Sequence, residues 1–323
     1  MKILHVLISK GFAGSELYAI NLLNYQSQNH QTFLIKNSKS DANKYKKFLN
    51  SSVKMYDLKG FFKKIKINKM IAEIKPDVVH THLGNASKII SKKNFKLIST
   101  VHMNYQVDHY INHDGLIISN QTQVKKASQS FKGKIKNSYL WPLVHNKFFK
   151  TNDQLKQELC IPNNSFIFGS VGRFHKQKGF DIIYESFKNL KLDNAFLILI
   201  GNLHNEYKHY KKKNILILDH QDNIQDYYKL FDCYVSASRW ETFGIALIEA
   251  MHFSLPIITT VHEGNKDWIF DYDVETFENE NIDELKKKMI KAYEISPKKI
   301  KYNLDQFNYN IICEDIFKFY NEL

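Results

Sequence analysis

The chain has 323 residues, of which 43% are hydrophobic, and a formal net charge of +13. This length is sufficient for two domains of ordinary size. Three cysteines, far apart and odd in number, argue against a disulfide scaffold and a zinc site and favour a reducing compartment. No run approaches the roughly 20 apolar residues that span a bilayer. The short apolar opening stretch has no basic leader, so we expect a core strand there rather than a signal peptide, and a cytoplasmic protein.

Positive charge is concentrated in the first half of the chain. Residues 1–150 carry 25 lysines and 7 acidic residues, a net +18, whereas residues 151–323 carry 21 basic and 26 acidic residues, a net −5. A compositional bias of the genome would act on both halves. The basic first half therefore favours a partner with negative charge, such as an anionic membrane surface or an acidic or phosphorylated substrate. Nucleic acid is an alternative that we do not expect, because no basic–aromatic stacking motif or recognition helix accompanies the charge.

Strands alternating with amphipathic helices predict a parallel-sheet α/β domain in the first half. A buried strand is predicted over residues 1–9, and a helix follows soon after Gly14. Two later strands are predicted to end at His82 and His102. A lone histidine after a strand is often structural, so a chemical role for His102 needs further support.

Residues 58–75, LKGFFKKIKINKMIAEIK, have two interpretations. On a helix, one apolar stripe would pack into the core: Ile67, Met70, Ile71 and Ile74. In the first interpretation, the other apolar side chains lie in the headgroup region of an anionic membrane, with lysines around them. These residues are Phe61, Phe62 and Ile65, with Lys63, Lys64, Lys66 and Lys69. In the second, the lysines form a solvated face and the phenylalanines cover the sheet.

The second half shows the same alternation, and the domain junction is predicted near residues 145–165, where a Pro-Asn-Asn-Ser sequence breaks the pattern. Buried strands are predicted over residues 167–171, 195–201 and 214–219. Gly172 ends the first of these strands, and helical spacing resumes at residue 180.

The loop between that strand and that helix contains Arg173 and Lys178. Open α/β sheets bind anions between a strand's carboxyl end and a helix's amino end. Only two of the 46 basic residues are arginines, Arg173 and Arg239. Finding one of them here favours a planar, bidentate contact with phosphate over a generic surface charge.

A second motif lies in residues 238–260, SRWETFGIALIEAMHFSLPIITT. Residues 244–253 predict a helix that is apolar on nearly every face and therefore buried, so Glu249 should have a partner. Glu241 lies in the preceding loop, where backbone amides and the positive end of the helix dipole face the space above. A nucleotide sugar, with a negatively charged middle and hydroxyls at both ends, suits this layout. For either glutamate alone, the simpler alternative is a helix cap or a buried ion pair.

These motifs resemble those of retaining glycosyltransferases with the GT-B fold, above all glycosyltransferase family 4, glycosyl transferases group 1. The segment around Glu241 and Glu249 resembles the family's E-x7-E signature, and residues 172–179 resemble its G-R-x-x-x-x-K-G segment. The resemblance implies that Glu241 faces the donor sugar, that Glu249 binds the nucleotide ribose, and that Arg173 and Lys178 clamp the donor diphosphate. It also implies that backbone lines the phosphate and sugar at Thr242, Phe243, Gly244 and Ile245.

The first half resembles the family more loosely. Gly14 stands in the family's G-G-x-E segment, where Ala13 replaces the other glycine, and would let backbone approach the phosphate. His102 matches the histidine near the reacting centre, where it would orient the acceptor or stabilise positive character at the sugar. Residues 141–149, with Trp141-Pro142-Leu143-Val144 and Phe149, resemble a shortened junction motif.

Two segments of the second half depart from the family pattern. Leu203 stands where the family has the second glycine of G-x-G, and Glu263 and Asp267 replace the first glycine and the glutamate of G-G-x-x-E. Contacts with the donor could differ at both places. Residues 271–273 form a D-x-D sequence that we interpret as a surface turn.

The resemblance implies an α/β, GT-B architecture of two Rossmann-like parallel-sheet domains facing each other across a cleft. We place an acceptor-side domain at 1–150, a nucleotide-sugar-binding domain at 151–306, and at 307–323 a helix that crosses back to the first domain. Glu241, His102, Arg173 and Lys178 would carry the catalytic roles. No metal and no separate cofactor are expected, because the two cations can do the work of a divalent metal.

The implied function is transfer of a sugar, with retention, from a nucleotide sugar to a hydroxyl of a glycan or lipid-linked acceptor. A UDP-sugar is the first expectation for the donor, and cell-envelope polysaccharide or lipopolysaccharide assembly for the process. One alternative is an epimerase or hydrolase of nucleotide sugars with the same fold. Another is a catalytically silent subunit that binds a nucleotide sugar.

Overall fold

The chain divides into two compact units: unit 1 comprises residues 1–143 and 305–323, and unit 2 comprises residues 144–304. The computed structural model describes residues 1–9, 11–12, 14–40, 42–91, 94–139, 148–202, 212–296 and 299–323. Ala13, Leu203 and the junction residues Trp141-Pro142-Leu143-Val144 lie outside the described residues. Within these ranges, none of the helices combines the length and the apolarity that crossing a membrane would require.

Unit 1 contains a seven-stranded sheet in which every described strand pair is parallel, with strand order β3-β2-β1-β4-β5-β6-β7. The strands are β1 Lys2–Leu7, β2 Gln31–Asn37, β3 Lys54–Leu58, β4 Val78–His82, β5 Lys96–Val101, β6 Gly115–Ile118 and β7 Lys134–Asn137. The central strands are buried on both faces, as expected for a parallel sheet covered by helices. In β2, Phe33 and Ile35 join one core cluster and Leu34 joins the other, on the opposite face.

In the described part of unit 1, five α-helices precede the junction and connect successive strands. They are α1 Gly14–Gln26, α2 Ala42–Phe48, α3 Lys63–Ile74, α4 Gly84–Ser87 and α5 Gln121–Ser128. The predicted strands that end at His82 and His102 are present as β4 and β5, and His102 directly follows the last residue of β5.

Residues 58–75 do not form a single helix. Leu58 ends β3, and α3 begins only at Lys63, after Phe62, which adopts a left-handed backbone with φ 60°. Ile67, Ile71 and Ile74 are buried, so the predicted core stripe is confirmed. Phe61 and Phe62 are 87% and 76% exposed. The interpretation in which they cover the sheet is therefore wrong, and so is their placement on the helix, because both lie in the turn before it.

Unit 2 contains a six-stranded parallel sheet with strand order β10-β9-β8-β11-β12-β13. The strands are β8 Phe166–Val171, β9 Ala195–Ile200, β10 Ile215–Leu218, β11 Cys233–Ser236, β12 Ile257–Thr260 and β13 Glu275–Phe277, and the helices are α6 Asn152–Glu158, α7 Phe180–Phe187, α8 Ile224–Leu230, α9 Ile245–His252 and α10 Ile282–Ile295. The predicted strands correspond to β8, β9 and β10, but β10 lies at the edge of the sheet and is only partly buried. The helix predicted over 244–253 is α9, shorter by one residue at each end.

The strand order of unit 2 reverses direction at β8. From β8 the chain runs outward to β9 and β10, and then returns to the other side of β8 to form β11. Loops at the carboxyl ends of β8 and β11 therefore diverge from a shared crevice, where open α/β sheets bind their ligands. Both motifs predicted to bind the donor lie in these two loops.

The chain returns to unit 1 with its last residues. Helix α11, Tyr309–Glu322, places Ile312, Ile316, Phe319 and Tyr320 in the interior. Lys96 of β5 donates to the Tyr320 carbonyl at 2.8 Å, and Lys136 of β7 forms a 3.2 Å ion pair with Asp315. Strands on both sides of the sheet's second half thus hold this helix in place.

Candidate functional site

An ion pair joins the loop after β8 to the loop before α9. The Nζ atom of Lys178 lies 2.5 Å from Oε1 of Glu241, and the two side chains are only 17% and 12% exposed. Ser238 also donates to Oε1 of Glu241, at 3.1 Å. Two residues that are 63 positions apart in the sequence, and that were predicted separately, thus meet at the crevice of unit 2.

Gln177 links the remaining predicted cation to this pair. Its Nε2 donates to Oε2 of Glu241 at 3.3 Å and to the Trp240 carbonyl at 3.0 Å. Its Oε1 accepts a 3.3 Å hydrogen bond from the guanidinium of Arg173, whose side chain is otherwise exposed. Arg173 is therefore connected to Glu241 through Gln177. The sequence gives no signal for Gln177, which looks like an ordinary polar loop residue and is buried here.

The predicted phosphate-lining backbone forms the start of α9. Gly244 precedes the helix with φ 96°, a backbone conformation that residues with a Cβ rarely adopt. Phe243 is buried against Trp268, while Thr242, Gly244 and Ile245 are partly exposed. An α-helix leaves the amides of its first turn without partners inside the helix, and its dipole makes this end positive. This end of α9 can therefore attract an anion.

Gly264 packs closely against the loop before α9. A Cβ atom at this position would lie 2.5 Å from the Phe243 amide nitrogen and 2.7 Å from the Glu241 carbonyl oxygen. The glycine retained from the family's G-G-x-x-E motif thus allows close packing against the loop before α9. Of the two residues that depart from this motif, Glu263 is exposed and Asp267 is partly exposed.

Arg239 ties three segments of unit 2 together. Its guanidinium forms a bidentate contact with Asp181 at 2.8 and 2.7 Å, donates to Glu280 at 2.5 and 3.0 Å, and donates to the Lys176 carbonyl. Its backbone amide also donates to the Gln177 carbonyl at 2.8 Å. These bonds hold the two loops of the ion pair side by side. The rarity of arginine in the sequence was the one available signal for this role.

His262 is a further residue of the site that the sequence did not indicate. It follows β12, lines the crevice with Lys178, Glu241 and Gly244, and is buried. Its Nδ1 atom has no hydrogen-bond partner among the described residues. Burial lowers the pKa of this ring to about 4, with Glu241 raising it and Lys178 lowering it further. At neutral pH it is therefore an uncharged imidazole beside a positive and a negative group.

Hydroxyl groups complete the lining of the crevice. Ser170 and Ser236 lie at or near the carboxyl ends of β8 and β11, and Tyr234 and Ser238 lie beside them. Together with Lys178 and the start of α9, they offer one cation, one helix terminus and several hydroxyls within one concave surface. Such a set can hold a phosphate group and hydrogen-bond a polyhydroxylated ligand.

Glu249 is partly exposed, and it has the partner that the sequence predicts. Tyr228 of α8 donates its hydroxyl hydrogen to Oε2 of Glu249 at 2.8 Å. Burial raises the pKa of Glu249 to about 7, although the hydrogen bond from Tyr228 and the charge of Lys178 lower it. This carboxyl group therefore titrates near neutral pH.

Two predicted site residues belong to unit 1. Gly14 is the exposed first residue of α1, and His102 follows β5 with its ring edge-on to Tyr18 at 5.2 Å between centroids. Nε2 of His102 lies 3.1 Å from Nδ1 of His82. Burial lowers the pKa of His102 to about 3, so its imidazole is neutral at pH 7.

His5, His80 and His82 of unit 1 lie close enough together to hold a metal ion. Three imidazoles are a common donor set for zinc. Here, however, both ring nitrogens of each histidine already lie within 2.5–3.1 Å of a polar side-chain atom, so the cluster is complete as a hydrogen-bonded network. The D-x-D sequence at 271–273 is a surface turn, since both aspartates are exposed.

The comparisons with known proteins agree with this geometry. HepE from Anabaena, solved in complex with UDP and glucose, is similar over 100% of both chains with a TM-score of 0.80 at 17% identity. Together with the two parallel sheets, this likeness confirms the predicted GT-B fold. Residues 151–306 match the sequence model of glycosyl transferases group 1. The matched segment covers nearly all of unit 2.

Two proteins of similar sequence are also named as glycosyltransferases. An uncharacterized glycosyltransferase of Methanocaldococcus jannaschii is 29% identical over 235 residues, which cover 60% of this chain and 58% of the relative. The O-antigen biosynthesis glycosyltransferase WclY of Escherichia coli is 24% identical over 290 residues, covering 80% of each chain. The match thus spans less than two thirds of the first of these relatives.

The raised pKa of Glu249 predicts how stability depends on pH. The folded carboxyl binds its proton more tightly than the unfolded one, so its stabilising contribution is complete below the unfolded value of 4.5 and is lost as the pH rises through about 7. When the pH is raised from 5 to 8, the free energy of unfolding of the unmodified protein should therefore fall by about 2 kcal/mol more than that of Glu249→Gln. Urea unfolding at both pH values measures this difference.

Glu294→Gln is the matched control, because Glu294 is exposed on α10. The free energy of unfolding of this variant should stay within about 0.5 kcal/mol of that of the unmodified protein at both pH values. Equal behaviour of the two variants would contradict a raised pKa of Glu249 in the folded protein.

Proposed function

We propose that this protein is a retaining glycosyltransferase that moves a sugar from a nucleotide sugar, with a UDP-sugar as the first candidate, to a hydroxyl of a glycan or lipid-linked acceptor. The observation that carries the proposal is the crevice of unit 2, where Lys178, Glu241 and the start of α9 converge. The GT-B relative HepE binds UDP and glucose, which supports a donor of this class.

Stabilisation of the departing diphosphate follows from this arrangement. As the bond between sugar and diphosphate breaks, negative charge develops on the phosphate oxygens. The ammonium of Lys178 and the first turn of α9 are fixed in a partly buried crevice, where they can stabilise that charge without reorganisation. Arg173, reaching the same network through Gln177, adds a second cation. We therefore propose that the reaction needs no divalent metal.

Retention by front-face attack is consistent with the hydrogen bonds that the Glu241 carboxylate accepts. This carboxylate accepts hydrogen bonds from Lys178, Ser238 and Gln177. Charge-assisted hydrogen bonds stabilise the anion and so reduce its reactivity as a nucleophile. Glu241 is thus better suited to orient the donor sugar than to form a covalent intermediate. In unit 1, we assign contact with the sugar or the acceptor to Gly14 and His102.

A role in cell-envelope polysaccharide or lipopolysaccharide assembly is the process we propose. WclY, which matches 80% of this chain, acts in O-antigen biosynthesis. The net charge of +18 on residues 1–150 suits an acceptor that carries phosphate or lies at an anionic surface. A soluble nucleotide sugar, the substrate of an epimerase or hydrolase, would not need such a surface.

Replacing Glu241 with glutamine tests catalysis directly. Because the neutral amide cannot pair with Lys178 as the carboxylate does, transfer should fall by at least about 100-fold while UDP affinity changes by less than about threefold. Transfer is measured with a panel of UDP-sugars and glycan or lipid-linked acceptors, and the anomeric configuration of the product by NMR. The exposed Glu263→Gln serves as the control and should keep its rate.

Undiminished transfer in Glu241→Gln would overturn the role of Glu241, and an inverted product would overturn retention. Tight UDP binding without transfer by the unmodified protein would instead favour the silent subunit. Release of free sugar in the absence of an acceptor would favour the hydrolase.

Lys178→Met tests the phosphate site separately. Loss of one charge-assisted contact should weaken UDP binding by at least about tenfold, or 1.4 kcal/mol. Isothermal titration calorimetry measures the affinity, both with EDTA and with added magnesium. Lys176→Met is the matched control, since Lys176 is an exposed lysine of the same loop, and it should bind within about twofold of the unmodified protein. Equal affinity in the two variants, or binding that EDTA abolishes, would contradict the metal-free phosphate site.

We further propose that unit 1 contacts an anionic membrane through the turn before α3. Phe61 and Phe62 project from this turn, and Ile65, 68% exposed, lies on the first turn of the helix beside them. Lys63, Lys64 and Lys66 are neighbours of these three apolar residues in the sequence. Exposed aromatic residues with lysines around them suit the headgroup region, where the rings enter the apolar boundary and the ammonium groups meet phosphate.

The double variant Phe61→Ser/Phe62→Ser tests this contact. Loss of the two rings that would enter the membrane should reduce binding to vesicles containing phosphatidylglycerol by at least about tenfold. Folding should be unchanged, because both side chains are exposed in the protein. Co-sedimentation measures binding, and vesicles of phosphatidylcholine alone should bind weakly in every case. Phe270→Ser, which removes a 68% exposed ring from unit 2, should leave binding unaltered. Full binding by the double variant would refute the proposal.

A further inference from the structure

A continuous chain of hydrogen bonds runs from His102 into the interior of unit 1. It begins at Nε2 of His102, which lies 3.1 Å from Nδ1 of His82, and continues from Nε2 of His82 to Nδ1 of His5 at 2.9 Å. Nε2 of His5 then meets Oε1 of Gln26, also at 2.9 Å. Three imidazoles and a carboxamide are thus joined end to end.

The chain continues beyond the carboxamide into a second branch. Nε2 of Gln26 lies 3.2 Å from the Tyr320 hydroxyl, which lies 2.5 Å from Nδ1 of His80. Nε2 of His80 meets Oγ1 of Thr100 at 2.8 Å. Apart from His102, which is partly exposed, every member of the chain is buried.

Strand register explains why these side chains share one face of the sheet. His5 of β1 pairs with His80 of β4, and Leu7 pairs with His82, two residues further along. Because side chains of a strand alternate between faces, His80 and His82 point to the same side. The end of α1 brings Gln26 onto this face, and α11 brings Tyr320.

A neutral imidazole imposes a direction on such a chain. One of its ring nitrogens carries a hydrogen and donates, and the other carries a lone pair and accepts. Each histidine that is bonded at both nitrogens must therefore donate on one side and accept on the other. The bonds among His5, His82 and His102 consequently all run in one direction, set by the group that meets His5.

Gln26 is that group. With its carbonyl oxygen toward His5, it can only accept, so His5 donates from Nε2 and accepts at Nδ1. His82 then donates to His5, and His102 donates from Nε2 to His82. On the other side of Gln26 the amide donates to Tyr320, whose hydroxyl donates to His80, which donates to Thr100. Every bond in the chain is satisfied in this arrangement.

The reverse arrangement would require the carboxamide to turn over. Its NH₂ group would then donate to His5, and each imidazole would pass its hydrogen to the opposite nitrogen. The orientation of one buried amide and the tautomers of four histidines, including His80, are therefore linked, since no single ring can switch alone without leaving two lone pairs or two hydrogens face to face.

We propose that Gln26, His5 and His82 are positioning residues that fix the tautomer of His102, keeping its hydrogen on Nε2 and a lone pair on Nδ1. In this state Nδ1 of His102 can only accept a hydrogen bond, so any group that meets this atom must be a donor, such as a hydroxyl. The significance for catalysis rests on the proposed function, but the tautomer itself does not.

The rings remain neutral under ordinary conditions, as this arrangement requires. Burial lowers the pKa of His5 to about 4, although Gln26 raises it, and burial lowers the pKa of His102 to about 3. Burial together with the neighbouring rings also holds the pKa values of His80 and His82 well below the ordinary value.

Nitrogen NMR of the full chain labelled with ¹⁵N-histidine tests the proposal. Protonated and unprotonated ring nitrogens have well-separated shifts, and the signals of His102 are identified by their loss in His102→Gln. We expect His102 to be protonated at Nε2 alone. A hydrogen on Nδ1 of His102 would overturn the assigned direction.

Two variants test transmission along the chain. Gln26→Leu removes the group that sets the direction, and Tyr320→Phe removes the hydroxyl that holds the amide, with little change of shape. Each should give a mixture of the two His102 tautomers. Gln123→Leu is the matched control. Gln123 is a buried glutamine of unit 1 whose side chain bonds Tyr105 and Asn104 and takes no part in the chain of hydrogen bonds, so its replacement should leave the tautomer of His102 unchanged. Unaltered His102 signals in both test variants would overturn the proposal.

Kinetics provide a separate readout. In Gln26→Leu, kcat for sugar transfer should fall roughly tenfold while KM for the nucleotide sugar changes by less than about twofold, because unit 2 holds the nucleotide. Equal losses in Gln26→Leu and Gln123→Leu would reduce Gln26 to a structural role. Absence of transfer in the unmodified protein would count against the proposed function, whereas the NMR result would still decide the tautomer.

Discussion

The ion pair between Lys178 and Glu241 is the contact on which the candidate site depends. Each side chain is largely buried, and either charge alone would be costly in this environment. The pair exists because β8 and β11 lie side by side where the strand order reverses, so the loops after them share one crevice. The fold thus supplies the proximity, and the opposite charges make the proximity tolerable.

Arg239 stabilises the frame in which this pair forms. By bonding Asp181, Glu280 and the Lys176 carbonyl, it holds the loop of Lys178 against the loop of Glu241. An anion that enters the crevice would then give Lys178 a second negative partner without any large movement. The preformed geometry reduces the entropy lost on binding, which is why rigid loops suit a phosphate site.

The sequence predicts the elements of unit 2 well because their signals are local. Strand β8 is rich in aromatic and β-branched residues and is followed by a glycine, and α9 is apolar on most faces, so both stand out without knowledge of the fold. The cost of burying a carboxylate also predicted that Glu249 has a partner. It could not identify Tyr228, because that pairing depends on how α8 packs against α9.

The side chains that pair across the fold were not predictable in the same way. Both arginines lie in loops near glycines or aromatics and look alike in sequence. In the structure the bidentate contacts with carboxylates belong to Arg239, whereas Arg173 makes one hydrogen bond to Gln177. Gln177 and His262 gave no signal at all, since a polar loop residue acquires its role only from its neighbours in space. Phe62 departed from the predicted helix because a left-handed backbone delays the start of α3.

The interior of unit 1 requires a different explanation from that of unit 2. Strands of a parallel sheet are usually apolar on both faces, yet β1 and β4 bury three histidines. They are tolerated because each ring is neutral and is bonded at both nitrogens, so no polar atom among them pays the full cost of leaving water. Tyr320 completes this network from α11, a helix that the chain forms only after passing through unit 2. Helix α11 therefore does more than cover the sheet of unit 1. It supplies the Tyr320 hydroxyl that orients the Gln26 amide, and this amide in turn fixes the tautomer of His102.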